Sequence, residues 1–200
     1  MVILRLVTLV CFVLTINFVR AQDSASLAVE HFAIDKKVEL EQKKFVFVDT
    51  GVLKKALRIR VFWNDRVFFN QYDEDKILDC FTFSSITDDT ISVVGYMIGM
   101  LGYGFSLKIF GDSCLVAPYA ISDGNIYRIA PGIDSFTSQL ILPSAVHKVR
   151  LARKPLFKAR EIVSGHVYLK SVPFYYKDLE GEFVIEINAH FRTAPLKPGR

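Results

Sequence analysis

The amino-acid sequence predicts a mainly β fold, an antiparallel meander or β-sandwich of about eight to ten strands. Three observations predict it. Apolar and polar residues alternate with a period of two in several segments, these segments are short, and turn residues separate them at regular intervals. Hydrophobic residues make up 51% of the chain and charged residues 23%, a composition that excludes a disordered or low-complexity protein.

The first 21 residues are expected to be a leader that is cleaved from the mature protein. Residues 6–16 carry no charge, Arg5 precedes them, and the small residue Ala21 is followed by polar residues that begin at Gln22. This is the layout of a secretory signal peptide, residues 1–21. A retained membrane anchor is the alternative, but the apolar stretch is shorter than the roughly 20 residues that span a bilayer. The short leader and its Ala-Gln junction favour export in a bacterium, to the periplasm, the outer surface or the medium.

Residues 22–200 are expected to form the exported body, either as one unit or as two packed halves, 22–143 and 144–200. The formal net charge of the chain is +4, and it falls to about +2 once the two arginines of the leader are removed. So small an excess of positive charge does not indicate a nucleic-acid-binding protein.

The N-terminal part of the body is open to two interpretations. The turn-like residues 35–37 precede Val38 and Leu40, which favours a hairpin, whereas abundant alanine, glutamate and lysine favour a helix over residues 25–40. We expect the hairpin. The next two segments, residues 45–48 and 57–63, have the composition and alternation of strands, with Arg58 and Arg60 on the polar face of the second.

Residues 90–107 form an uncharged stretch of 18 residues that contains four glycines. We expect one short buried helix near residues 88–101, followed by a strand from Phe105. Insertion of residues 90–107 into a membrane is the alternative, because Gly95 and Gly99 form the G-x-x-x-G spacing of packed membrane helices. The glycines and the marginal length count against insertion.

A meander is predicted between Phe105 and Leu142. Alternating segments are separated by tight turns, and Asp123-Gly124 has the composition of a two-residue hairpin turn. The predicted strands are residues 105–109, 115–121, 125–129 and 136–142. Val149 and Leu151 then alternate with basic residues and add a half-buried strand.

The last fifty residues predict a second hairpin, around Asp178, that pairs residues 165–171 with 185–192. Only one register puts opposite charges on one face and aliphatic pairs on the other. The pairs in that register are Lys170 with Glu186, Tyr168 with Asn188, His166 with His190, Leu169 with Ile187, and Val167 with Ala189.

Cleavage of the leader removes Cys11 and leaves Cys80 and Cys114. Two cysteines in an oxidising compartment can form a disulfide bridge, and the alternative is two buried thiols that pack as small apolar groups. No Cys-x-x-Cys sequence is present, so neither thioredoxin-like chemistry nor a structural zinc site is expected.

Candidate metal ligands are few. The predicted register places His166 beside His190, and two imidazoles on neighbouring strands could hold zinc or copper with a third ligand. Glu186 is the candidate third ligand, but it is better explained as the partner of Lys170, so we expect exposed histidines and no metal. Four acidic residues lack the spacing of a calcium loop: Asp73, Glu74, Asp75 and Asp79. No cofactor is predicted.

A basic stretch contains Lys148, Arg150, Arg153 and Lys154. On an exposed surface these side chains could bind anionic lipid headgroups or acidic glycans, and the alternative is a solvated strand face without a partner.

No nucleophile motif or paired catalytic group is recognisable in the sequence. The sequence therefore predicts a non-catalytic exported envelope protein with a binding or structural role, whose partner is an envelope glycan, lipid or protein. The alternatives are an envelope hydrolase whose site is assembled from loops, and a membrane-associated protein that uses residues 90–107.

Overall fold

The computed structural model describes residues 29–44, 48–49, 54–55, 57–70, 80–87, 89–97 and 101–197. The predicted leader, the acidic residues 73–79 and most of the predicted strand 45–48 lie outside the described residues.

The fold class is confirmed, because strands make up 62% of the structure and helix 4%. The single described helix, α1, is Lys37–Gln42. The strands are β1 (Glu30–His31), β2 (Ala33–Ile34), β3 (Val48–Asp49), β4 (Lys54–Lys55), β5 (Leu57–Trp63), β6 (Arg66–Asn70), β7 (Cys80–Thr87), β8 (Thr90–Met97), β9 (Leu101–Phe110), β10 (Ser113–Ser122), β11 (Tyr127–Arg128), β12 (Gln139–Ile141), β13 (Ser144–Leu151), β14 (Val163–Ser171), β15 (Tyr175–Tyr176) and β16 (Ile185–Thr193).

The described strands form two large sheets. Sheet A has the order β1-β10-β9-β8-β7, with β12 also paired to β10, and sheet B has the order β2-β13-β14-β16-β5-β6. All neighbours in both sheets are antiparallel except β2 and β13. Sheet B thus joins β5 and β6 to the C-terminal strands β13, β14 and β16.

The inner faces of the two sheets pack into one hydrophobic core. Alternate residues of the central strands are fully buried, among them Ile91, Leu107 and Ile109 from sheet A and Ile59, Val167, Leu169 and Ile187 from sheet B. The ring centroids of Phe105 and Phe191 lie 5.7 Å apart and join the two layers. The arrangement is therefore β-sandwich-like, as the period-two alternation predicts.

The predicted C-terminal hairpin register is confirmed residue by residue. Strands β14 and β16 pair Lys170 with Glu186 and His166 with His190. The aliphatic residues between these pairs face the core and are fully buried. A shift by one residue would move the aliphatic residues to the outer face, and this specifies the register.

The helix predicted near residues 88–101 is wrong. Thr90–Met97 is a strand in which every second residue is buried, which is the pattern of a strand with one face on the core. Glycine is required at position 104 of β9, because a Cβ atom there would collide with the backbone of Gly95 and Tyr96 in β8. The glycines thus permit close approach of two strands rather than of two helices. Among the described residues, no helix has the length and apolar character needed to cross a bilayer.

The hairpin predicted around Val38 is also wrong, because Lys37–Gln42 is helical. The alternative, a helix over residues 25–40, is correct in type but not in extent, since residues 30–31 and 33–34 are strands. Val38 and Gln42, one helical turn apart, are buried, so α1 uses one narrow stripe to pack on the protein.

The two-residue hairpin predicted at Asp123-Gly124 does not form. Tyr127–Arg128 pairs with Tyr175–Tyr176 instead, and β12 takes the place beside β10. The ring of Tyr127 is fully buried and contacts Phe174 and Tyr176. In its pairing with β15, strand β11 places the ring of Tyr127 in the core against Tyr176.

Cys80 and Cys114 are buried and are not joined by a disulfide, so of the two alternatives the structure has the pair of buried thiols. Strands β8 and β9 lie between β7 and β10, which carry the two cysteines. Neighbouring strands are about 4.8 Å apart, so three such spacings exceed the roughly 7 Å between Cα atoms that a disulfide can span. Burial raises the pKa of the Cys114 thiol to about 11, and the charge of Glu30 adds to this effect.

Candidate functional site

The outward-facing side chains of β5, β13, β14 and β16 form a basic surface, which we call the outer face of sheet B. Strand registers place residues from the four strands side by side in rows. The first row is Arg150, His166, His190 and Arg58, and the second is Lys148, Tyr168, Asn188 and Arg60. Lys170 lies at one end of the same face and Arg192 at the other. Across these four strands, Glu186 is the one acidic residue at an outward position.

Residues 33–44, which contain β2 and α1 and which we call the strap, lie across the first row at Arg150, His166 and His190. Arg58, His166 and His190 are 5%, 8% and 7% exposed, although their positions in the strands face away from the core. Gln42 of the strap donates hydrogen bonds from its side-chain amide to the carbonyl oxygens of Gly165 and Phe191, at 3.3 and 2.9 Å. These bonds fix α1 across β14 and β16.

Two carboxylates of the strap neutralise the first row. Asp35 Oδ2 lies 2.9 Å from Nη1 of Arg150, and Glu41 Oε2 lies 3.1 Å from Nη2 of the same guanidinium. His190 donates from Nε2 to Glu41 Oε2 at 3.0 Å. Nη1 and Nη2 of Arg150 also contact both oxygens of Glu41, at 3.4 and 3.1 Å, which is the bidentate geometry that strengthens arginine–carboxylate pairs.

The pKa values of both carboxylates are lowered in this network, which favours their charged form. Hydrogen bonds from the backbone N–H of Lys37 and from Arg150 lower the pKa of Asp35. Burial alone would raise the pKa of Glu41, but the bonds from His190 and Arg150 hold it below its ordinary value. Both carboxylates are therefore ionised at neutral pH.

Burial lowers the pKa of both imidazoles. The pKa of His166 falls to about 4, and the positive charges of its neighbours add to the effect of burial. The pKa of His190 is lowered by burial despite its bond to Glu41. Nε2 of His166 donates to Oδ1 of Asn188 at 2.9 Å, whereas its buried Nδ1 has no hydrogen-bond partner in the described chain. Both rings are neutral at pH 7.

The described residues provide no third ligand for the zinc or copper site that the sequence suggested at His166 and His190. The rings of His166 and His190 are 4.5 Å apart, in the predicted pairing, but they are buried under the strap rather than exposed. The carboxylate at His190 is that of Glu41, not the candidate Glu186. Within the described ranges, no group of three histidine, cysteine or acidic side chains could hold a metal ion.

The structure separates the four residues of the predicted basic surface. Lys148 and Arg150 lie on the outer face of sheet B. Arg153 and Lys154 lie in the loop after β13, where Arg153 donates to the carbonyl oxygen of Ile162 and Lys154 pairs with Asp112 at 2.5 Å. The sequence placed Arg58, Arg60 and Lys170 on the polar faces of their strands, but it did not show that these strands and β13 lie side by side in one sheet.

No described residue of the strap covers the other half of the face, which we call the open half. Lys148 is exposed, Arg60, Tyr168 and Lys170 are half-buried, and Arg60 donates from Nε to Oδ1 of Asn70 at 3.0 Å. Lys170 pairs at 3.2 Å with the exposed Asp65 in the β5–β6 turn, and this bond raises the pKa of Lys170. The open half can bind anionic groups by charge, without a nucleophile or a general base.

No family model matches the chain, and no curated protein or solved structure matches it. The chemistry of the outer face is therefore the basis for inferring a function.

Proposed function

We propose that this chain is a non-catalytic exported protein of the bacterial envelope that binds an anionic component of that envelope through the outer face of sheet B. One observation carries the proposal: four adjacent strands turn six lysines and arginines and two histidines outward against a single glutamate. The basic residues are Arg58, Arg60, Lys148, Arg150, Lys170 and Arg192. The leader of residues 1–21 supports export.

A hydrogen-bonded sheet suits this role because it holds the charges at fixed spacings. Neighbouring strands lie about 4.8 Å apart, and successive outward residues of one strand lie about 6.8 Å apart. Binding therefore costs little backbone entropy, in contrast to binding by a flexible basic loop. A repeating anionic partner can place several charges on such a surface at once.

The strap supports the choice of an anionic partner. Arg150 already binds two carboxylates, those of Asp35 and Glu41, within the chain. The open half also carries cationic side chains that donate hydrogen bonds, those of Arg60 and Lys148. An external carboxylate or phosphate would contact those residues as the strap carboxylates contact Arg150.

Replacing Arg60 and Lys148 together by glutamine is expected to weaken binding of a soluble polyuronate, polygalacturonate, about tenfold at low salt. Each lost cation removes an attraction that salt also screens, so binding by the unaltered protein should fall between about 50 and 200 mM NaCl. Isothermal titration calorimetry measures both effects. The matched control replaces Lys177 and Lys197, two exposed lysines outside the face, and should bind as the unaltered protein does. Equal affinity of both double variants would disprove the proposal.

Export is tested separately through the leader. A C-terminally tagged chain expressed in a bacterium is expected to begin at Gln22 when recovered from the periplasm or medium, because cleavage after Ala21 removes residues 1–21. N-terminal sequencing and intact mass measure this directly. Replacing Ala21 by arginine should block cleavage and leave the leader attached. Recovery of an unprocessed chain from the cytoplasm would contradict export.

A further inference from the structure

The outward side of α1 combines one exposed leucine with four lysines. Leu40 is 60% exposed, and Lys36, Lys37, Lys43 and Lys44 are all exposed. Backbone angles at Lys36 and Lys43 are helical, so the flanking lysines continue the helical geometry of Lys37–Gln42. This side of the strap has no described contact with the sandwich.

The helical repeat places these five side chains together. At about 100° per residue, the four lysines project within about 60° of Leu40. Val38 and Gln42 project about 160° from Leu40, toward the sheet, where both are buried. Glu41 projects about 100° from Leu40, on the flank of the helix, and bonds to Arg150. Glu39 projects about 100° from Leu40 on the other flank and is exposed. The outward surface therefore carries four positive charges around a central apolar side chain, with one acid on each flank, of which Glu41 is paired with Arg150.

We propose that the outward side of the strap docks the protein on an anionic lipid bilayer, with Leu40 inserted among the headgroups and the four lysines on the lipid phosphates. The inference rests on the proposed function and names the anionic partner. Binding of a helix at the membrane interface increases with the apolar area that it buries and with the attraction of its cations to anionic lipids, and here Leu40 supplies the first and the four lysines the second. An acidic polysaccharide would satisfy the lysines but would leave Leu40 without a role.

A free helix of six residues would not be stable enough to bind a membrane. The sandwich removes this difficulty, because Gln42, Glu41 and Asp35 tie the strap to β13, β14 and β16 before any lipid is met. Docking through the strap also turns the open half of the outer face toward the bilayer, since the strap lies on that face. Lys148 would then reach the same anionic surface.

Sedimentation with vesicles tests the proposal, using phosphatidylglycerol mixed equally with phosphatidylcholine, and phosphatidylcholine alone. The unaltered protein should bind the mixed vesicles and not the neutral ones. Leu40→Ser should weaken binding to mixed vesicles about tenfold, and glutamine at all four lysines should weaken it about a hundredfold. The matched control, Leu196→Ser with Lys197→Gln, alters an exposed leucine and lysine away from the strap and should bind normally. Because every variant shares the same N-terminus, a leader cannot account for a difference between them.

Each outcome decides between the two proposals. Docking on lipid is overturned if Leu40→Ser binds mixed vesicles as the unaltered protein does, even when the lysine variant does not, because no side chain is then inserted. It is also overturned if polygalacturonate is bound and mixed vesicles are not, and in that case the proposed function stands. Binding to neither ligand would overturn both. Circular dichroism and the melting temperature confirm that the variants, all at exposed positions, remain folded.

Discussion

Replacement of Gly104 by alanine is expected to destabilise the folded chain by about 3 kcal/mol or more. Gly104 in β9 lies opposite Tyr96 in β8, and a Cβ atom there would meet the carbonyl oxygen of Gly95 and the Cα of Tyr96. These are backbone atoms of a paired strand and cannot rotate away as a side chain could. The two strands would have to separate, which breaks ladder hydrogen bonds in the middle of sheet A. Urea unfolding followed by circular dichroism measures the loss.

Gly124→Ala is the matched control for this substitution. Gly124 lies in a bend, its backbone angle is not in the left-handed region, and the nearest atom to an added Cβ is a methyl group of Ile126 at 3.9 Å. Both substitutions restrict the unfolded chain to the same extent, so the difference between them isolates the collision in the folded state. Equal unfolding midpoints for the two variants would show that β8 and β9 do not approach as closely as described.

The sequence was most informative where one strand face is apolar and the other is polar throughout. In β14 and β16, a shift by one residue would place Lys170 and Glu186 in the core and Leu169 in water, so a single pairing satisfies the chemistry. The same reasoning placed His166 beside His190. The register of this hairpin therefore follows from the amino-acid sequence alone.

Local patterns failed where tertiary contacts decide between structures. In β8 the alternation of Ile91, Val93 and Met97 is present, but Val94 and Tyr96 on the other face are half-buried and apolar, which obscures the polar face. Glycine in such a stretch is compatible with packing of helices or of strands. A turn sequence such as Asp123-Gly124 likewise does not specify which strand the chain joins after the turn.

The contacts of the strap with sheet B could not have been predicted from the sequence. Arg150 and Asp35 are 115 residues apart, and His190 and Glu41 are 149 residues apart. No spacing rule links residues at such separations. The basic residues of the sheet could be recognised in the sequence, but their contacts with Asp35 and Glu41 could not. Because the covering strap was therefore not foreseen, His166 and His190 were expected to be exposed.

Acidification from about pH 7 to about pH 4 is expected to destabilise the fold by about 3 kcal/mol through His166 alone. The ordinary pKa of histidine is 6.5, whereas burial beside His190 and Arg150 lowers the pKa of His166 in the folded chain to about 4. The unfolded chain therefore takes up a proton at a higher pH than the folded chain does. The contribution of neutral His166 is complete above pH 6.5 and is lost progressively as the pH falls to about 4. His190 acts in the same direction, since burial lowers its pKa too.

Urea unfolding at several pH values tests this dependence, and His166→Gln removes one of the two buried imidazoles that cause it. The variant is expected to be less stable at neutral pH, because the bond to Asn188 is altered, but to lose markedly less stability on acidification. His31→Gln is the control, because the imidazole of His31 is exposed. The pKa values of Asp35 and Glu41 are lowered in the folded chain, so their contribution begins to be lost only as the pH falls to the ordinary carboxyl range, about pH 4 to 5, whereas that of His166 begins to be lost near pH 6.5. A loss of stability that begins only at such low pH, or that is equal in the two variants, would assign the effect to the carboxylates and contradict the role of His166.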